Sequence, residues 1–76
     1  MQMTLKQDID GNYEEITTVD GSSVEEICEN ATEVLIDDAY VDEEELEKSE
    51  WEGKENGLFV IEAYTYDGDT KSFVLD

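Results

Sequence analysis

Apolar and polar residues alternate from Met3 to Ile9. Met3, Leu5 and Ile9 fall on one side and Thr4, Lys6 and Asp8 on the other, the period-2 pattern of a half-buried strand. Asp10-Gly11 follows, a favoured pair for a tight hairpin turn. A two-residue loop there pairs Leu5 with Ile16 on one face and Lys6 with Glu15 on the other. The second strand then runs from about Asn12 to Val19, and Asp20-Gly21 breaks the pattern. Beyond it the period becomes helical. Val24, Ile27, Cys28, Ala31 and Leu35 recur at helical spacing and predict a helix from Ser23 to Asp38 with this stripe toward the core. Ser22 and Ser23 both fit the capping-box pattern, with Glu25 and Glu26 three residues on.

The stretch from Asp42 to Glu52 is less regular. Asp42 with Glu45 has capping-box spacing and Leu46 is the main apolar member, which reads as a short helix to about Ser49. Alternatively, Ser49 to Glu52 forms an edge strand and Gly53-Lys54-Glu55-Asn56-Gly57 turns into the next strand. Four successive acids, Asp42 to Glu45, hold a helix only with a packed surface beneath them. Leu58 to Tyr66, rich in β-branched and aromatic residues, reads as the most buried strand. Asp67-Gly68-Asp69 turns it into Lys71 to Leu75, with either Asp67-Gly68 or Gly68-Asp69 as the loop, so the register of this hairpin stays open. The prediction is one α+β domain spanning residues 1–76: β-hairpin, α-helix, short second helix, β-hairpin, with the antiparallel sheet packed on the helix.

Charge changes this picture more than hydrophobicity does. The 76 residues hold 23 acids against 4 lysines, with no arginine and no histidine, for a net charge of −19. Self-repulsion destabilises so acidic a compact state, and dissolved salt relieves it. Such a field repels nucleic acid and anionic membranes and attracts basic proteins or cations. Neither a signal peptide nor a membrane span is expected: Met1 to Lys6 has no apolar segment, and Leu58-Phe59-Val60-Ile61 is far too short to cross a bilayer. The expected location is cytoplasmic, the host cytoplasm if the chain is phage-encoded.

The residues give little support to catalysis. Without histidine there is no imidazole base and no zinc site of the usual kind, and carboxylate pairs are too abundant to single one out. No glycine-rich phosphate loop or nucleophile elbow is present, so the chain reads as a non-enzyme without a cofactor. Asp8-Ile9-Asp10-Gly11-Asn12 does not fit a calcium loop. Placing Gly11 sixth puts Lys6 first and Thr17 twelfth, where acids are needed. Asp67-Gly68-Asp69 lacks the later ligands, and both segments read as turns. Cys28, the single cysteine, reads as a small core hydrophobe, because acidic neighbours raise a thiol pKa.

The acids concentrate. Glu25 to Glu55 holds fourteen of the 23 carboxylates, namely Glu25, Glu26, Glu29, Glu33, Asp37, Asp38, Asp42, Glu43, Glu44, Glu45, Glu47, Glu50, Glu52 and Glu55, opposed only by Lys48 and Lys54. On the predicted helix, Glu25, Glu29, Glu33 and Asp37 repeat every fourth residue and line the face opposite the apolar stripe. Glu26 and Asp38 bring the count to six charges on roughly 20 Å of helix, one per ~3–4 Å. One strand of duplex DNA carries a phosphate every ~3.4 Å of axis. Glu25 and Glu26 complement the helix dipole, but Asp37 and Asp38 oppose it, a placement that favours a use for the charge over helix stability. Tyr40 and Trp51, set among acids, have the make-up of binding anchors, although a small domain also needs its tryptophan in the core.

In size, extreme negative charge, lone cysteine and the carboxylate runs Glu25–Asp38 and Asp42–Glu52, the chain resembles the small acidic DNA-mimic inhibitors of phages and mobile elements. These include inhibitors of uracil-DNA glycosylase and of restriction enzymes, and several anti-CRISPR proteins. They share no single fold, so the resemblance implies a function and not an architecture. It implies a protein that occupies the DNA- or RNA-binding groove of a CRISPR effector, restriction enzyme or repair enzyme, binding neither nucleic acid nor membrane itself. The partner-binding residues expected are Glu25, Glu26, Glu29, Glu33, Asp37, Asp38, Tyr40, Asp42, Glu43, Glu44, Glu45, Glu47 and Trp51. A general acidic adaptor for some basic protein, and a salt-adapted domain without a specific target, are the alternatives.

Overall fold

Asp10 and Gly11 both take positive φ, 54° and 88°, as a two-residue type I′ loop requires, and they join β1 (Gln2–Ile9) to β2 (Asn12–Asp20). The Asp8 carboxylate accepts the Gly11 N–H at 2.9 Å, so this acid serves the turn, as its sequence reads. These features come from a computed structural model that describes residues 1–38, 40–47, 49–65 and 68–76. After β2 come α1 (Val24–Asp37), α2 (Glu43–Glu47), β3 (Glu52–Gly53), β4 (Phe59–Tyr64) and β5 (Thr70–Leu75). The five strands form one antiparallel sheet in the order β2-β1-β5-β4-β3. This is the expected α+β layout of hairpin, helix, short helix and hairpin. The short helix forms, as Glu43–Glu47, whereas the alternative edge strand from Ser49 to Glu52 is present only at its end, where Glu52 and Gly53 pair with Val60 and Phe59.

The first hairpin differs from the simple register at one point. Lys6 faces Glu15 as expected, but Leu5 faces Thr17 and not Ile16, because a bulge interrupts the ladder between Leu5 and Lys6. Ile16 and Val19 are three residues apart, so a regular strand would send them to opposite faces. The extra residue corrects the phase: Val19 is buried in the core and Ile16 packs against it. In the second hairpin neither two-residue loop occurs. Tyr64 pairs with Thr70, the Thr65 N–H donates to the Asp69 carbonyl at 2.7 Å, and Tyr66 and Asp67 lie outside the described residues. This register sets Ile61 opposite Phe73 and Phe59 opposite Leu75, which brings the large apolar side chains of β4 and β5 onto one face.

That face carries the core. Leu5, Val19, Ile61, Ala63, Phe73 and Leu75 from the sheet close on Ile27, Ala31 and Leu35 of α1 and on Val41 and Leu46 around α2. Gly21 makes the approach of α1 possible, since a Cβ there would sit 2.9 Å from both the Ile27 side chain and its backbone nitrogen. On the opposite face, buried Val74 lies between its strand neighbours Lys6 and Val60, and Lys6 bonds Asp76 at 2.8 Å. Among the described residues no helix is long and apolar enough to cross a membrane.

Candidate partner-binding surface

The acidic face is built by ordinary helix chemistry. Ser23 caps α1, its hydroxyl accepting the Glu26 N–H at 3.2 Å, while the Ser22 hydroxyl donates to the Glu26 carboxylate at 2.8 Å. At the other end the Tyr40 N–H donates to the Leu35 carbonyl at 3.0 Å, a six-to-one closure that ends the helix, and the Tyr40 ring meets Phe73 edge-on at 6.0 Å. Between these ends Ile27, Ala31 and Leu35 are buried, and Glu25, Glu26, Glu29, Glu33, Asp37 and Asp38 are all exposed. Among the described residues the ion pairs are Lys6–Asp76 and Lys54–Glu52, and neither touches α1.

The second acidic group is placed differently. The Asp42 carboxylate accepts the Glu44 N–H at 2.9 Å and so caps α2, and its own N–H donates to the Tyr64 carbonyl at 3.1 Å, tying the helix to β4. Val41 and Leu46 supply the packed surface that four successive acids need. Glu43 and Glu44 are exposed, whereas Asp42 and Glu45 are half-buried, and the side chain of Glu47 lies outside the described residues. Glu45 lines a cleft of about 340 Å³ with Ser49, Glu62, Tyr64 and Thr70 at the β4 edge of the sheet. α1 rests on β2 and β1 while α2 rests on β4, so the two runs that adjoin in sequence occupy different regions of the surface.

Neither proposed anchor projects freely. Tyr40 and Trp51 are half-buried and packed against the core. The Trp51 indole N–H donates to the Thr32 hydroxyl at 3.0 Å, and that hydroxyl donates to the Cys28 carbonyl at 2.9 Å, a relay that fixes the indole against α1. The fixed ring lines a cleft of about 650 Å³ together with Phe59 and with Val24, Cys28 and Thr32 of α1. Glu25 and Glu29 of the helix and Glu50, which precedes Trp51, join this lining. Cys28 is half-buried here, and desolvation raises its thiol pKa, which disfavours the reactive thiolate. Glu50, Thr32, Cys28 and Phe59 are cleft residues that the charge pattern alone does not single out. Glu25, Cys28, Glu29 and Thr32 do share one border of the helix by spacing, and that border was the available signal.

Among the described residues no three carboxylate or cysteine side chains converge as a metal site would require. No protein-family model matches this chain, and neither the curated proteins nor the solved structures yield a match.

Proposed function

We propose that this protein is an acidic nucleic-acid mimic, an inhibitor of the anti-CRISPR type that occupies the basic DNA- or RNA-binding groove of a host defence or repair enzyme. It acts by binding and not by catalysis. The observation that carries this reading is α1, where five exposed carboxylates, Glu25, Glu26, Glu29, Glu33 and Asp37, stand on a helix capped by Ser23 at one end and closed by Tyr40 at the other, with exposed Asp38 at its C-cap. Fourteen residues at ~1.5 Å each make a rod of roughly 21 Å, with a charge about every 4 Å. A groove that binds a polynucleotide presents lysine and arginine to its phosphates. Carboxylates held on a rigid helix meet those cations at a lower ordering cost than a flexible strand does, and arginine pairs with them bidentately. The summed field also speeds encounter.

Charge reversal tests the reading. The triple variant Glu29→Lys, Glu33→Lys, Asp37→Lys changes exposed side chains only, so the fold is retained and binding to a partner captured from host lysate is lost. Unchanged affinity in the folded variant would place the contact on another surface.

A further inference from the structure

We propose that the cleft between α1 and Trp51 is a socket for an arginine side chain of the partner protein. The partner's basic character rests on the mimicry reading above, but the choice of side chain rests on the cleft itself. Trp51 and Phe59 line it with aromatic carbon, and Cys28 joins them, while Glu25 and Glu29 of the helix and Glu50, next to Trp51 in sequence, add carboxylates. At about 650 Å³ it has the size of an ordinary ligand pocket, larger than one side chain requires.

Charge complementarity selects the occupant. The exposed carboxylates that line the cleft gain nothing from a neutral apolar group and repel a phosphate. A guanidinium satisfies both parts of the lining. Its weakly hydrated plane lies against aromatic carbon, and its N–H groups donate outward to the lining carboxylates. A lysine ammonium is a compact, strongly hydrated charge that uses the aromatic lining less well. The relay from Trp51 through Thr32 to the Cys28 carbonyl holds the indole in place before anything binds, so little order has to be created on association.

Trp51 is the only tryptophan, so its fluorescence reports on this cleft alone. The purified chain is titrated with N-acetyl-arginine methylamide, and in parallel with the lysine and citrulline analogues, at constant ionic strength. The expected result is a saturable change with the arginine compound, a weaker response to lysine and none to uncharged citrulline. The pair Glu29→Gln, Glu50→Gln weakens the arginine response about tenfold, as loss of charge-assisted hydrogen bonds does. The pair Glu33→Gln, Asp37→Asn, whose carboxylates do not line the cleft, changes it less than twofold. Any of three results overturns the socket: no saturable response, citrulline or lysine binding as well as arginine, or equal weakening by both pairs. The titration contains no nucleic acid and no partner, so its failure leaves the mimicry reading standing. Failure of competition with nucleic acid would likewise leave a positive titration intact.

Discussion

Thr32 shows how a single hydroxyl connects folding to the binding surface. It accepts from Trp51 and donates to its own helix, so one small side chain holds the only tryptophan at the edge of the acidic face. Replacing it with valine keeps the shape and removes both bonds. Thr32→Val should cost about 1 kcal/mol in urea unfolding, with Trp51 emission moving to longer wavelength as the indole loosens. An unshifted spectrum would mean that packing alone fixes the ring. Several residues were legible from sequence for local reasons: Asp10-Gly11 as a turn, Ser23 as a cap, and Ile27, Ala31 and Leu35 as core. Ile16 was not. Its placement depends on a bulge whose purpose is to bring Val19 and Ile16 to the core together, a requirement set by α1 rather than by β2.

Among the elements, α2 is the one whose sequence argues most against it. Five residues with acids at four of them have little intrinsic stability, and what holds them is Leu46 in the core, the Asp42 cap and the bond from Asp42 to Tyr64. Leu46→Ala should therefore destabilise the domain by roughly 2–5 kcal/mol. Hydrogen exchange at the Leu46 amide, which donates to the Asp42 carbonyl at 2.9 Å, should accelerate toward the unprotected rate. Protection retained in the variant would show that α2 stands on its caps alone. The cleft beside Trp51 was hidden for a related reason. Its walls come from α1, from the segment before β3 and from β4, and only tertiary packing brings Cys28 and Phe59 together. The second hairpin's register was equally illegible until the pairing of Ile61 with Phe73 selected it.

For the chain taken together, a net charge of −19 on a body of 33 × 24 × 20 Å sets two opposed responses to salt. From about 0.02 M to about 0.5 M salt the Debye length falls from roughly 20 Å to roughly 4 Å, less than the ~6 Å rise between the every-fourth-residue acids Glu25, Glu29, Glu33 and Asp37 of α1. The melting temperature of the free protein should rise across that range, while affinity for the partner falls steeply. A complex indifferent to salt would mean that the acidic face is not the contact. The most direct test is competition on the captured partner enzyme, with a fluorescent oligonucleotide bound in its groove and this protein added at fixed salt. Stoichiometric release of the oligonucleotide, lost in the Glu29→Lys, Glu33→Lys, Asp37→Lys variant, is the predicted result. A ternary complex, in which the enzyme holds oligonucleotide and protein together at saturation, would contradict it.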